Sequence, residues 1–264
     1  MIKIKSVKFN FTFLNFFNLI KIKSIKTVLI VNYPGKKYLN QKKIKGVNFF
    51  SLNKIYEKKH YQIKFNRFDF DHELAILYSS GTTGKPKCIC HRAGGVLLQH
   101  LKEHKLHCEV KPGDNIFYFT TCGWMMWNWL LTFLASKASI VLFDGFPMYK
   151  KDDLLLKIAD NEKITLFGVS AKYIDQLRKK NVYIKSRFKL NKLKTICSTG
   201  SPLSVDNFQY VYDNIKKNVH LASIAGGTDL VSCFVLGNIY SPVYKGQIQN
   251  NGLGMNTDVF SEKG

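Results

Sequence analysis

Arginine and acidic residues are scarce in this sequence of 264 residues. The chain carries 40 Lys and Arg against 18 Asp and Glu, a formal net charge of +22. Four of the basic residues are arginines, namely Arg67, Arg92, Arg178 and Arg187. Nucleic-acid-binding proteins use arginine for bidentate contacts and cluster their positive charge on one face. Lysine is instead spread along this chain, so nucleic acid is not a predicted partner and a basic nucleic-acid-binding protein is the last of the alternatives.

The N-terminal stretch lacks the features of a membrane span or a cleaved signal. Residues 11–20 are fairly apolar, but Asn15 and Asn18 interrupt them and lysines follow closely. The run is too short to cross a bilayer, and no small-residue cleavage pattern follows it. Residues 1–26 are interpreted as an amphipathic helix, with a signal-like segment as the alternative, and no membrane span is predicted.

The six cysteines lack a metal-binding spacing. Cys88 and Cys90 are too close together for a CxxC zinc knuckle. They stand in an apolar run, so we interpret them as strand residues. Free core thiols are usual in a reducing cytosol, and a cytoplasmic location is predicted.

Regular alternation of strands and helices begins near residue 27. Such alternation with short connections predicts an α/β fold with largely parallel sheets flanked by helices. The glycine-rich loops follow strands, where open α/β sheets bind ligands. The predicted strands cover residues 28–31, 74–78, 88–91, 116–120, 139–143, 165–169, 193–197, 219–225 and 231–236. The predicted helices cover residues 92–107, 124–136, 152–160, 171–180 and 205–216.

A polar, glycine-containing loop directly follows the strand at residues 74–78, and residues 88–91 are expected to return as its second arm. Its glycines, Gly81 and Gly84, let successive backbone N–H groups converge on anionic oxygens. It is not a Walker A loop, because Pro86 follows Lys85 and the required spacing is absent. The loop therefore predicts phosphate binding, through donors and a cation supplied by Ser79, Ser80, Thr82, Thr83 and Lys87.

Residues 78–87 resemble the phosphate-binding motif of the adenylate-forming superfamily, which includes acyl-CoA synthetases, luciferases and peptide-synthetase adenylation domains. The stretches at 100–104, 119–129 and 226–230 are similar to those of the acetoacetyl-CoA synthetase family. The resemblance implies part of the large N-terminal domain of these enzymes, with residues 24–264 as a partial AMP-binding domain and residues 1–23 poorly matched. It implies a ligase that converts acetoacetate, ATP and CoA to acetoacetyl-CoA through an acyl-adenylate, with Mg²⁺. The sequence does not define an oligomeric state.

The resemblance also implies roles for individual residues. Gly200-Ser201-Pro202 matches the turn that holds adenine and ribose. Gly227-Thr228 matches the motif whose threonine hydroxyl meets the α-phosphate. Asp229 stands where the superfamily usually has Glu and would support Mg²⁺, since a shorter carboxylate still ligates a hard cation. Without the resemblance, a role as a strand-entry or capping residue would be as good an interpretation of Asp229 as a functional one. The residues with implied catalytic roles are Lys87, Thr228 and Asp229.

The acid is expected near the aromatic stretch at 124–129. The aromatic and methionine residues of this stretch recur at helical spacing, which is typical of a core, and Trp127 and Trp129 are interpreted as core residues. Gly226 stands where acetyl-CoA synthetases carry a Trp that closes the acyl pocket, so glycine leaves room for a longer acid. The predicted acid pocket consists of Trp124, Met125, Met126, Thr199 and Gly226.

Three histidines share one face of the helix predicted at 92–107. His100, His104 and His107 stand at i, i+4 and i+7, a spacing that could ligate zinc. Apart from Glu103 and Cys108, no further ligand is clearly placed. We interpret the histidines as helix-surface residues, with a zinc site as the alternative.

Three family elements are not found in the sequence up to Gly264: the ribose-binding Asp, the hinge and the mobile C-terminal domain with its Lys. We therefore interpret the chain as a fragment and expect weak or absent synthetase activity from it, because closure of the small domain completes the site. The alternatives are a non-catalytic nucleotide-binding remnant and a synthetase for acetate or propionate.

The interpretation of Gly226 predicts the effect of a substitution. Gly226→Trp is expected to shift the acid preference toward acetate, because the indole would close the pocket. An adenylation assay with both acids measures this, and an unchanged preference would count against it.

Overall fold

The computed structural model describes residues 4–6, 24–30, 45–51, 65–79 and 84–261. Contacts divide the chain into two compact units, Lys5–Arg67 and Met1–Ile4 with Phe68–Gly264. The strands are β1 Ile4–Ser6, β2 Thr27–Ile30, β3 Asn48–Ser51, β4 Glu73–Tyr78, β5 Cys88–Arg92, β6 Asn115–Tyr118, β7 Ser139–Asp144, β8 Leu166–Ser170, β9 Thr195–Thr199, β10 His220–Ser223, β11 Ala225–Gly227, β12 Ser232–Leu236 and β13 Asn250–Asn251. The α-helices are α1 Ala93–Lys102, α2 Met126–Thr132, α3 Leu154–Asn161, α4 Ala171–Lys179 and α5 Val205–Tyr210.

Three of these helices continue in a different helical form. A π-helical turn, Glu103–His107, extends α1, and another, Val211–Ile215, extends α5. A 3-10 turn, Phe133–Ser136, extends α2. Within the described ranges, no helix is long and apolar enough to cross a bilayer.

The N-terminal unit contains one described strand pair. Strands β2 and β3 lie parallel, with Thr27 opposite Asn48. The strand predicted at 28–31 is therefore present. The predicted N-terminal helix is wrong at residues 4–6, which form a strand, and most of its other residues lie outside the described ranges.

The larger unit is built on five parallel strands in the order β7-β6-β8-β9-β10. Helices connect successive strands, as parallel connections require. The predicted α/β class is thereby confirmed. Two smaller antiparallel groups, the β4–β5 hairpin and the β11-β12-β13 sheet, accompany the parallel strands, and the hairpin confirms that residues 88–91 return beside 74–78.

Both faces of the parallel sheet are buried. Successive side chains of a strand point to opposite faces, so Phe117 packs with α3, α4 and α5, while Ile116 and Tyr118 pack with α1 and α2. Trp129 of α2 is 1% exposed in this second core, which confirms its predicted core role, and Trp127 packs partly buried against it. The helix layers leave the carboxyl ends of the strands free to form a site.

Close packing at Gly168 yields a test of the core. A Cβ at Gly168 would overlap the ring of the buried Tyr118 on the neighbouring strand. Gly168→Ala is therefore expected to lower the free energy of unfolding by about 1–3 kcal/mol.

Gly95→Ala is the control, because a Cβ on that exposed helical residue meets nothing within 4 Å. The control should raise the free energy of unfolding by about 0.5–1 kcal/mol. Urea unfolding measures both changes, and equal stabilities of the two variants would contradict the packing described here.

Candidate functional site

A cavity of about 670 Å³ opens beyond the carboxyl ends of β9 and β10. Pockets of this size typically hold small-molecule ligands, and parallel sheets place them at this edge. Five separate stretches supply its walls: the end of β4, the start of α2, the turn after β9, the chain from β10 to the start of β12, and the segment with Gly246 and Ile248. The predicted residues that line it are Ser79, Trp124, Met125, Met126, Thr199, Gly200, Ser201, Pro202, Gly226, Gly227, Thr228 and Asp229.

The remaining predicted residues belong to the loop at 78–87, for which phosphate binding is predicted. Ser80, Gly81, Thr82 and Thr83 lie outside the described residues. The ends of the loop are held together, because Ser79 N donates to Lys87 O at 3.0 Å and Lys87 N donates to Ser79 Oγ at 3.3 Å. Gly84 and Lys87 are exposed and do not line the cavity. The phosphate role of Lys87 stays a prediction.

The turn after β9 requires a glycine. Gly200 has φ +87°, in the left-handed region that side chains rarely adopt. Directly before it, the Thr199 hydroxyl donates to the Ile224 carbonyl at 2.9 Å. This bond ties the end of β9 to the end of β10 and fixes one wall of the cavity.

A tight turn at Thr228–Val231 brings Thr228 and Asp229 to the cavity. Val231 N donates back to Thr228 O at 3.3 Å. Asp229 is exposed at the cavity, and its Oδ2 lies 3.5 Å from where a Cβ on Gly227 would stand. Among the described lining residues, Asp229 is the single charged side chain.

The structure contradicts the reason proposed for glycine at position 226. Gly226 lines the cavity, but a Cβ there would overlap the carbonyl oxygen of Ser232 and lie 2.7 Å from Cys233 Cα. These atoms belong to β12, which pairs with β11 at this point. Glycine is thus required by the close approach of two backbones. Gly226→Trp would break the strand pair before it could reshape the pocket.

The histidines of α1 and its π-helical extension are buried, so the prediction of a helix-surface position was wrong. His100 and His104 are 0% exposed, and His107 is 4% exposed. Their helix packs between α2 and β12. His104 stacks on Phe133 with ring centroids 3.5 Å apart. Burial lowers the pKa of both His100 and His104, because the charged imidazole is disfavoured away from water. Neither they nor other His, Cys, Asp or Glu residues in the described ranges form a group of three or more that could hold a metal ion.

The cysteines only partly meet the expectation of core thiols. All six are free. Cys197 and Cys233 are buried in the core, but Cys88 and Cys90 are exposed. Both lie on the uncovered face of β5 opposite exposed residues of β4, so the apolar run does not correspond to burial here.

Glu103 was not among the predicted site residues, yet its carboxylate supports one wall of the cavity. It is 0% exposed and accepts from Trp129 Nε1 at 2.7 Å, from Ser232 Oγ, and from Cys233 N at 3.3 Å. Gln99 donates to the same carboxylate at 3.1 Å. Ser232 and Cys233 line the cavity, so Glu103 anchors this wall from behind. Its neighbours on the same helix face include the polar residues Gln99, His100 and His107, so no local pattern in the sequence marked Glu103 as a buried residue.

The chain matches the AMP-binding enzyme family over residues 21–246. It therefore belongs to the AMP-binding enzymes.

Several acetoacetyl-CoA synthetases are among its relatives. The chain is 54% identical to that of Rhizobium meliloti (strain 1021) over 200 residues, 76% of this chain and 31% of the relative. It is 49% identical to that of Gallus gallus over 203 residues, 77% of this chain and 30% of the relative. It is 42% identical to a malonamoyl-CoA synthetase of Penicillium aethiopicum, again over 77% of this chain and 30% of the relative. The chain thus spans about a third of the length of the curated relatives it matches.

A solved structure shares the fold as well. The acetoacetyl-CoA synthetase from Streptomyces lividans superposes with a TM-score of 0.76 at 36% identity. The match covers 86% of this chain and 34% of that chain.

The buried histidines predict how stability depends on pH. In the unfolded chain a histidine takes up a proton near pH 6.5, whereas folding holds His100 and His104 neutral to lower pH. The unfolded state then binds more protons, so stability should fall as pH drops below about 6.5, by up to about 1.4 kcal/mol per pH unit for each histidine. Urea unfolding of the wild type and His104→Phe between pH 8 and pH 5 tests this. The variant should lose less stability over that range, and parallel losses would contradict the role assigned to His104.

Proposed function

We propose that the cavity binds the adenylate of acetoacetate and that the chain carries the nucleotide-binding and acid-binding site of an acetoacetate–CoA ligase. One observation carries this proposal: residues from sequence-distant motifs, which resemble those of adenylate-forming enzymes and in part those of acetoacetyl-CoA synthetases, line a single cavity. The identity of 45–54% to synthetases with this name supports the choice of acid.

The nucleotide would lie across the carboxyl edge of the sheet. Adenine and ribose would contact the turn at Gly200-Ser201-Pro202, and the Thr228 hydroxyl would donate to the α-phosphate. Ser79 lines the same cavity and begins the loop that would receive the β- and γ-phosphates. Backbone N–H groups of that loop and the Lys87 ammonium would then neutralise phosphate charge.

Asp229 fits the requirements of Mg²⁺. Its carboxylate is exposed at the cavity and offers the hard oxygen ligands that this ion prefers. Mg²⁺ in nucleotide sites is commonly held by one or two carboxylates together with substrate phosphates, so a single aspartate is sufficient on the protein side. When bound, the ion would supply positive charge to the phosphate oxygens.

The acid would lie at the start of α2. Trp124, Met125 and Met126 give this end of the cavity an apolar wall, against which a short acyl chain can be desolvated. Acetoacetate and malonamate share a carbonyl group β to the carboxylate. The 42% identity to a malonamoyl-CoA synthetase makes malonamate the second candidate acid.

The arrangement supports acyl transfer in two steps. A carboxylate oxygen of the acid attacks the α-phosphorus of ATP, forming the acyl-adenylate while the bond to pyrophosphate breaks and pyrophosphate leaves. The CoA thiolate then attacks the acyl carbon, and AMP leaves with the bonding electrons. Thr228 and Lys87 would act by donating hydrogen bonds to phosphate oxygens as their charge develops.

A substitution at Asp229 distinguishes ATP binding through a Mg²⁺ site from ATP binding that does not involve the ion. Asp229→Asn is expected to weaken Mg²⁺-dependent ATP binding by about tenfold, because a neutral amide replaces the charged ligand. Asp229→Glu should retain binding, since the superfamily usually has Glu at this position. Calorimetric titration of the purified chain with ATP, with and without Mg²⁺, measures both.

Asp206→Asn is the control for this titration. Its carboxylate is exposed on α5, outside the cavity, and the substitution should leave ATP binding unchanged. No ATP binding by the wild type would reject the proposed function, and an unaffected Asp229→Asn would reject the role of Asp229.

A further inference from the structure

The turn at Thr228–Val231 is held from behind by two buried histidines. His91 Nε2 lies 2.8 Å from the Thr228 carbonyl oxygen, and His100 Nε2 lies 2.6 Å from the Val231 carbonyl oxygen. A carbonyl can only accept, so both rings carry their hydrogen on Nε2. The first and last carbonyls of the turn are therefore each bound by an imidazole from β5 or α1.

The turn itself is strained. Val231 has φ +51°, a left-handed conformation that is a genuine outlier for a β-branched residue. Such conformations persist where surrounding contacts over-determine them, and they cluster at functional sites. Val231 is 2% exposed, and the bond from His100 to its carbonyl is one of those contacts.

The two imidazoles act in a dry environment. His91 is 9% exposed and His100 is 0% exposed, so water has little access to the two imidazoles, and a hydrogen bond is stronger in such surroundings than in water. The other nitrogen of His100, Nδ1, lies 2.8 Å from the Thr132 hydroxyl of α2. His100 is thereby oriented by one helix while it binds the turn.

The two residues directly after the turn, Ser232 and Cys233, are also held from this side, by Glu103. Its carboxylate binds the side chain of Ser232 and the backbone of Cys233. One face of β5 and α1, extended by the π-helical turn, thus fixes the chain from Thr228 to Cys233, which includes both residues proposed to meet the phosphates and the metal ion.

We propose that His91 and His100 are positioning residues, which hold the strained turn so that the Thr228 hydroxyl faces the α-phosphate of the bound nucleotide and the Asp229 carboxylate faces the Mg²⁺ ion. This inference rests on the proposed function. Neither histidine lines the cavity itself, and both act through the backbone carbonyls of the turn.

A comparison of AMP with adenosine tests the positioning role. Both ligands would use the turn at Gly200-Ser201-Pro202, but AMP alone reaches Thr228. His91→Leu removes the donor at similar size, so AMP binding should weaken by about tenfold, the loss expected for one well-placed hydrogen bond, while adenosine binding stays unchanged. His91→Gln should restore AMP binding, because its amide nitrogen can donate from a similar distance.

His107→Leu is the matched control. His107 is also buried, and its Nδ1 donates to a backbone carbonyl, that of Gly237, beyond the turn. The His107→Leu substitution should lower the free energy of unfolding without changing the ratio of AMP to adenosine affinity. If His91→Leu fails to fold, His91→Asn serves in its place, since its shorter side chain does not reach the carbonyl.

The outcomes separate the two proposals. A wild-type chain that binds AMP no better than adenosine would overturn the proposed function and the positioning role with it. A wild-type preference for AMP that survives His91→Leu, or His91→Asn, would overturn the positioning role alone. An equal loss of preference in His107→Leu would also overturn it, because the effect would then be general to buried histidines.

Discussion

A buried carboxylate requires hydrogen-bond donors, and α2 and β12 supply donors to the buried carboxylate of Glu103. Removing such a group from water costs several kcal/mol unless its oxygens are satisfied. Its oxygens accept from Trp129 on α2 and from Ser232 and Cys233 at the start of β12. The positions of α1, α2 and β12 are therefore mutually dependent. Since α2 and β12 both contribute to the cavity, the shape of the site follows from this requirement.

The parallel sheet provides the second constraint. Its strands end at one edge, and the chain leaves that edge through segments with special conformations: Gly200 at positive φ, Gly226 against the backbone of β12, and Val231 at the end of a strained turn. The two glycines adopt these conformations without strain, and the strained conformation of Val231 persists because buried contacts surround it. Five distant stretches of sequence are thereby brought to one cavity.

Much of this organisation could be predicted from the sequence. Alternating apolar strands and helices indicated the α/β class, and the loop at 78–87 and the turns at 200–202 and 227–229 were placed after strands because polar and glycine residues follow apolar runs there. These signals are local. Periodicity likewise identified Trp129 as a core residue, since an aromatic residue within an apolar helix is most often buried.

The remaining features depend on partners distant in sequence. His100 was interpreted as a surface residue because a polar residue on a helix usually faces water; its partner, the Val231 carbonyl, is 131 residues away. The reason for Gly226 was also misjudged, since the backbone that excludes a side chain there belongs to a strand whose pairing geometry no local pattern specifies. In both cases a tertiary contact decided what residue type alone could not.

One cavity is proposed to hold a nucleotide and a short 3-oxo acid together. The most direct test is an equilibrium titration of the purified chain with a non-hydrolysable sulfamoyl analogue of acetoacetyl-adenylate, alongside AMP and the corresponding acetyl analogue. The acetoacetyl analogue is predicted to bind more tightly than either, because only it fills both the nucleotide turn and the apolar wall at Trp124–Met126. Affinity equal to that of AMP would contradict the claim.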